Sequence, residues 1–347
     1  MWCFRLAFVL ITIVIELLLH PSPVVGQYTG PTLACGGTSL VKSTTLIAPN
    51  DISANGLTCV YTIRSLNLRV CQLRLDFNSF SLAQPTLDPY PRCINDVLSI
   101  ENLNFDLCGE NTGQHVYVPF NPTNADRTLT ITFRIANRNH IPNLRNPHWS
   151  VRVQQLECPT GAAAASKDTF RQESAFDQPE LLPLVARTFH NDIGMLAPTG
   201  CLQYFPDTTG TVESFNLGTG EGPYLGGLSY AVCFHRPRTA QALRLRPSVF
   251  EMAYVLEPVA GNVAVDELCY SSVASMERSE DHLLVPNAMA RLPSLPVLRS
   301  SRFCGHSLVS GEVEVTAPGP FVMYFNSDQL FDPFRRETGF RMQYQIL

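Results

Sequence analysis

Several motifs are missing from this 347-residue chain, and each absence removes a class of function. HExxH and CxxC do not occur and the eight histidines are scattered, so the spacing that structural and catalytic zinc sites need is lacking. GDSGG and GxSxG are also absent, which leaves no framework for a serine nucleophile. Gly218-Thr219-Gly220-Glu221-Gly222 is glycine-rich but lacks the lysine and serine of a phosphate-binding loop, and reads as a hairpin connection. Net charge is −5, from 25 basic and 30 acidic residues, so the basic field that nucleic acid requires is not there. Sites for N-linked glycan are lacking too, because Asn121-Pro122-Thr123 has the forbidden proline.

Long apolar runs are confined to the N-terminus. Arg5 followed by Leu6 to Leu19, broken only by Thr12 and Glu16, and then Val24-Val25-Gly26 before Gln27, reads as an export signal over residues 1–26. The run is shorter than the roughly 20 residues a spanning helix needs, and Pro21 and Pro23 follow it, so no membrane span is expected after signal removal. Of eleven cysteines, Cys3 falls in the signal and the other ten divide six and four between two blocks. An even count behind an export signal predicts a secreted, extracellular, disulfide-bonded protein.

Both blocks read as strands. Leu57–Ile63, Val70–Phe77, Leu129–Phe133 and Trp149–Val153 are rich in β-branched and aromatic residues, separated by turn clusters such as Asn55-Gly56 and Asn146-Pro147. A second set is expected at Cys201–Phe205, Leu228–Phe234, Ser248–Leu256 and Phe321–Phe325. Between the blocks, Pro159-Thr160-Gly161 with four alanines opens a linker over 159–198. The expected fold class is all-β: two antiparallel sandwiches, 27–158 and 199–347. Charge differs between them, with ten basic and nine acidic residues from Gln27 to Cys158, and fourteen and twenty from Pro159 onward.

Particular residues carry a family resemblance. Cys35-Gly36-Gly37, Cys59 with Tyr61-Thr62-Ile63, Leu75-Asp76-Phe77, Cys93-Ile94-Asn95-Asp96, Phe105-Asp106-Leu107-Cys108-Gly109 and Leu129–Phe133 before Trp149 resemble a CUB domain over 35–158. Cys201, Cys233, Cys269, Cys304-Gly305 and Pro320–Asp328 with Gly339-Phe340 resemble a more divergent CUB-like domain, with Ser271 to Ser301 inserted. The tandem looks similar to secreted, non-protease CUB proteins of arthropods. Spacing alone leaves 15 pairings open for six cysteines and three for four. The resemblance implies Cys35 with Cys59, Cys93 with Cys108, Cys71 with Cys158, Cys201 with Cys233, and Cys269 with Cys304.

Some CUB domains bind calcium through a glutamate and two aspartates, since a hard cation needs several converging oxygens. On that pattern Asp96 and Asp328 match one acid each. The glutamate position of the first block falls on Ala83 and its later aspartate near Ala136 or Asn137, so no metal site and no cofactor, calcium included, is expected. Ser307 beside His306 does not make a catalytic pair, because neighbours on a strand face opposite ways. Glu280-Asp281-His282 reads as a solvated charge cluster. The candidate binding surface is the loop carrying Arg134, Arg138, His140, Arg145 and His148, whose arginines suit acidic partners. The expected function is a non-catalytic extracellular recognition module for an extracellular protein or acidic glycan. The alternatives are an accessory partner of an extracellular protease system and a structural matrix component.

Overall fold

A computed structural model describes residues 30–52, 54–120, 127–141, 143–159, 192–218, 222–255, 269, 281–292, 296–306, 308, 310–331 and 335–347. Residues 1–26 read as an export signal, residues 160–191 of the expected linker, Thr219 to Glu221, Glu280 and Ser307 lie outside the described residues. Strands dominate what is described, and no α-helix occurs among those residues.

Two sheets make the first sandwich. One runs β1 (Thr32–Leu33), β3 (Ser43–Ile47), β9 (His148–Glu157), β5 (Val70–Ser81), β7 (His115–Pro119); the other runs β2 (Thr38–Ser39), β4 (Leu57–Arg64), β8 (Thr128–Ile135), β6 (Val97–Ile100). Alternation of side chains puts Cys59, Tyr61 and Ile63 of β4 inward, opposite Phe133, Ile131 and Leu129 of β8, so every second residue of each strand feeds one core. Trp149 fills its centre. Its ring stacks on Phe133 at 4.2 Å and its indole N–H donates to the Tyr61 hydroxyl at 3.0 Å, so the polar edge of a buried aromatic is satisfied.

The second half is one sheet folded over on itself. Its order is β10 (Cys201–Phe205), β12 (Ser229–Phe234), β18 (Phe321–Asn326), β15 (His282–Arg291), β17 (Glu312–Val315), β13 (Leu243–Glu251), β20 (Gly339–Ile346), β11 (Thr209–Glu213), with β16 (Leu298–Phe303) beside β15. β15 turns the corner: His282–Leu284 pair with β18, Ala288–Arg291 with β17, and between them Asn287 takes φ 56°. A bulge of this kind lets one strand serve both layers of a barrel-like core. A small ribbon of β14 (Tyr254–Val255) and β19 (Arg335–Arg336) lies apart from this sheet. The stretch read as an insertion from Ser271 to Ser301 therefore contains β15 and the start of β16, and the strand expected at Ser248–Leu256 begins earlier, at Leu243.

Disulfides join Cys35 to Cys59, Cys71 to Cys158 and Cys93 to Cys108 in the first half, and Cys201 to Cys233 and Cys269 to Cys304 in the second. None of these five crosses between halves. Docking of the halves is non-covalent and specific. Residues 192–198, assigned to the linker, are stitched to the first sandwich. Asp192 accepts from Lys42 Nζ at 2.7 Å and from the Glu157 N–H at 3.2 Å, and the Gln72 amide both donates to Ala197 O at 2.7 Å and accepts from its N–H at 3.0 Å.

Beyond that stitch the halves meet through buried amides. The Asn216 side chain accepts from the Glu110 N–H at 2.9 Å and donates to Gln84 Oε1 at 3.0 Å, while its own N–H donates to Asn111 Oδ1 at 2.8 Å. Gly109, at φ +75°, makes room: a Cβ there would lie 1.8 Å from Asn216 Oδ1. Phe105 of the first half packs on Phe215 and Tyr230 of the second, with centroids 6.2 and 6.4 Å away. The edge strands β7 and β10 face each other with His115 between them, its Nε2 3.2 Å from the N and 3.0 Å from the O of Tyr204. In the neutral ring Nε2 either accepts from that N–H or donates to that carbonyl, so the imidazole occupies one group that an exposed sheet edge would leave open to aggregation.

Burial and then the nearby Arg74 cation lower the His115 pKa to about 3, so the ring is neutral. A folded-state pKa below the unfolded value means the unfolded chain binds more protons between the two, so this contribution is complete above about pH 6.5 and is lost as pH falls toward 3. Going from pH 7 to 5 is expected to remove about 2 kcal/mol of stability through this ring. Thermal melts across that range check it: His115→Gln flattens the dependence, and an unchanged pH profile in that variant contradicts the assignment.

Candidate functional site at the loop ends of the two halves

Asp96 stands just before β6 with its carboxylate fully enclosed. Four donors hold it: Arg138 Nη1 on Oδ1 and Arg138 Nη2 on Oδ2, both at 2.5 Å, the Ala83 N–H at 2.9 Å and the Ala136 N–H at 3.1 Å. The two forked guanidinium bonds are the bidentate geometry in which arginine matches a carboxylate. Ala83, and Ala136 or Asn137, are where the CUB resemblance looks for further acids. Here Ala83 and Ala136 contribute backbone N–H groups, and the positive charge facing Asp96 comes from Arg138.

That placement corrects the reading of Arg138 as a free binding residue. Its side chain is only 16% exposed and its second amino group also donates to Arg145 O at 3.0 Å, so it cements the loop rather than reaching outward. In Asp96, N–H donors face both oxygens, so its carboxylate ties loops together. Arg145 stays half exposed while contacting Glu110 Oε2 at 3.1 Å and Ser81 Oγ at 3.2 Å. Arg134 on β8, His140, and His148 at the start of β9 are exposed.

A similar arrangement occupies the second half. Asp281, just before β15, is 2% exposed; its Oδ2 accepts from the Tyr224 hydroxyl at 2.5 Å and its Oδ1 from the Asp328 N–H at 2.6 Å. Burial, followed by the neighbouring Asp281 and Glu337 charges, pushes the Tyr224 phenol well above its ordinary range, which keeps it a donor. Asp281 is therefore structural, not part of a solvated cluster. Asp328 sits at the end of β18 and its Oδ1 accepts from the Leu330 N–H at 2.8 Å, capping a turn. Among the described residues, no group of three or more His, Cys, Asp or Glu is placed to hold a metal ion.

Asp281, Tyr224 and Asn216 were not anticipated from sequence, although Asp281 opens a strand as Asp96 does. Hydrogen bonds connect the two ends across the junction. Arg145 binds Glu110, whose N–H reaches Asn216; Asn216 Nδ2 donates to Pro223 O at 2.8 Å, next to Tyr224 and hence Asp281. The Gly226 N–H further donates to Pro91 O at 2.8 Å. What this arrangement supplies is a rigid platform of loops, without an assembled nucleophile, base or metal among the described residues.

An all-β fold with several disulfides and this disposition of loops defines the class of disulfide-bonded β-sandwich modules. Residues 198–347 match the family model described as the animal CUB domain. That is the half whose cysteine spacing reads as the more divergent. A search of curated proteins finds no match. Among solved structures, the CUB1-EGF-CUB2 domains of rat MASP-1 are similar at 14% identity and a TM-score of 0.26, covering 91% of this chain and 100% of that one. The corresponding domains of human MASP-1/3 give 14%, 0.24, 88% and 100%. The extracellular region of zebrafish Gpr126/Adgrg6 gives 8% and 0.25, over 91% of this chain and 33% of that one. Likeness this distant says nothing of ligand or activity. No helix among the described residues is long and apolar enough to cross a membrane.

Removing Arg138 leaves a carboxylate enclosed without its cation, a change that costs about 3–5 kcal/mol. Arg138→Met is expected to lower the stability measured by denaturant titration by that amount, and adding Asp96→Asn to recover part of it. A cost no larger than that of an ordinary surface substitution contradicts the structural role of the pair.

Proposed function

We propose that this chain is a secreted, non-catalytic recognition protein built from two CUB-like sandwiches, and that it engages an extracellular protein or acidic glycan without calcium. The observation that carries the reading is the Asp96–Arg138 pair, in which a guanidinium occupies the carboxylate that a hard cation would need. With that charge supplied by the chain itself, the adjoining loop keeps its shape without an added ion. The residues offered outward beside it are Arg134, His140, Arg145 and His148. Loops fixed at the end of a rigid sandwich are where such folds place recognition, and arginine forks suit carboxylates and sulfates. CUB domains are extracellular protein-interaction modules, and five disulfides fit an oxidising compartment.

Affinity capture from extracellular fluid, run in parallel with calcium and with chelator, tests this reading. The same partners are expected in both, and Arg134→Ser combined with His140→Ser, Arg145→Ser and His148→Ser is expected to release them. Retention that requires calcium, or that survives all four substitutions, overturns it.

A further inference from the structure

At the end of the first sandwich opposite the arginine-bearing loop, two turns carry apolar side chains into solvent. Strand pairing fixes which end this is: Leu57 of β4 faces Ile135 of β8 next to that loop, and Arg64 faces Thr128 at the far end. There the turn from Ser65 to Arg69 joins β4 to β5 and presents Leu66, about half exposed, and Leu68, 82% exposed. The turn between β2 and β3 presents Leu40 and Val41, each about half exposed. Single exposed apolar residues are ordinary on a protein surface, whereas four on two adjoining tips, rimmed by polar groups, form a patch of the kind that marks an interaction site.

Polar bonds behind the tips hold both turns in place. The buried Gln155 amide accepts from the Leu66 N–H at 2.7 Å and donates to Val41 O at 3.0 Å and to Arg64 O at 2.9 Å, so one side chain ties the two turns together. Arg127 Nη2 donates to Val70 O at 2.9 Å. Asn67 braces its own turn, its Oδ1 accepting from the Arg69 N–H at 2.8 Å and its Nδ2 donating to Glu157 Oε1 at 2.9 Å. Leu66 and Val41 enter these bonds through their backbones, so polar side chains at the tips would leave every bond intact. The fold accounts for the shape of the turns and not for the leucines on them. A tip fixed in this way loses little conformational freedom on docking.

Charge around the tips is arranged with its positive side outward. Lys42 pairs with Asp192 and Arg69 with Glu157, and in each pair the cation is the more exposed member, 45% against 7% and 36% against 19%. Arg64 is exposed beside them and forms no ion pair among the described residues. We infer that these tips dock the protein on an anionic lipid surface, with Leu40, Val41, Leu66 and Leu68 entering the headgroup layer and Arg64 and Lys42 meeting anionic headgroups around them. Apolar side chains gain by leaving water, and cations gain beside a negatively charged leaflet. Four side chains on two tips offer less than the roughly 800 Å² per partner that a specific protein interface buries, whereas a fluid lipid interface takes up convex tips without a matching pocket. Docked this way, the protein points its arginine-bearing loop away from the lipid. The inference is independent of what that loop binds.

Co-sedimentation with vesicles tests this on protein recovered from the medium of cells expressing the whole chain. Vesicles of phosphatidylcholine and phosphatidylserine in about a three-to-one ratio are expected to retain it, and vesicles of phosphatidylcholine alone to retain far less. Leu66→Ser combined with Leu68→Ser is expected to weaken retention at least about tenfold, and Arg64→Gln about fivefold, the effect of one cation near an anionic surface. These side chains are exposed, and unchanged Trp149 emission verifies that each variant is folded. Leu68→Trp reads the tip itself, with a blue shift of its emission expected on adding the anionic vesicles. No retention on anionic vesicles, equal retention on phosphatidylcholine alone, retention unchanged by the double leucine substitution, or no blue shift overturns the inference. A double leucine variant that loses a protein partner, in a chain that ignores vesicles, assigns the tips to a protein contact and overturns it too.

Discussion

The amide of Asn216 is the point on which the two halves turn. It is 1% exposed, and through its side chain and its own N–H it meets Glu110, Asn111 and Gln84 of one half while holding Pro223 of the other. Burying amides is favourable only when donors and acceptors are matched. Because each partner here is matched across the junction, sliding or tilting one half leaves several buried groups unmet at once. That penalty, rather than apolar area alone, fixes a single relative placement. Gly109 gives the backbone the left-handed conformation and the missing Cβ that let Asn216 approach.

From that placement the other features follow. Asp96 with Arg138 and Asp281 with Tyr224 sit at the starts of corresponding strands and stiffen the loops that flank the junction. One acid is answered by a guanidinium and backbone N–H groups, the other by a phenol and a backbone N–H. Each solution satisfies a buried carboxylate using groups the chain already carries. The outer loop of the first sandwich then rests on a preformed base, which limits the ordering cost of recognition. On the other side of the junction, matching edges at β7 and β10 leave a cavity whose lining belongs to both halves.

Much of the fold was legible in the sequence because it depends on local alternation. β4, β5, β8 and β9 carry β-branched and aromatic residues at period two, and the all-β class follows from them. β15 was hidden by its own composition: Pro286, Asn287, Ala288 and Ala290 are poor strand formers, and the strand exists through pairing on both flanks. Arg138 reads as exposed in an asparagine-rich loop, because its carboxylate partner is 42 residues away in the chain. Asp281 lies between two polar neighbours, and only the enclosing Tyr224 reveals it as buried. The docking amides Gln84, Asn111, Gln114 and Asn216 look like surface residues, since long-range pairing of polar groups leaves no periodic trace.

Docking as one body can be measured directly, because Trp149 is the single tryptophan beyond the first two residues and lies in the core of the first sandwich. Its fluorescence reports that half, whereas far-ultraviolet circular dichroism reports the strands of both. Halves locked through Asn216 unfold together, so denaturant titrations followed by the two signals should share one midpoint and one slope. A dichroism curve with two steps, only one of which coincides with the Trp149 transition, would show that the halves fold independently and that the junction does not hold them.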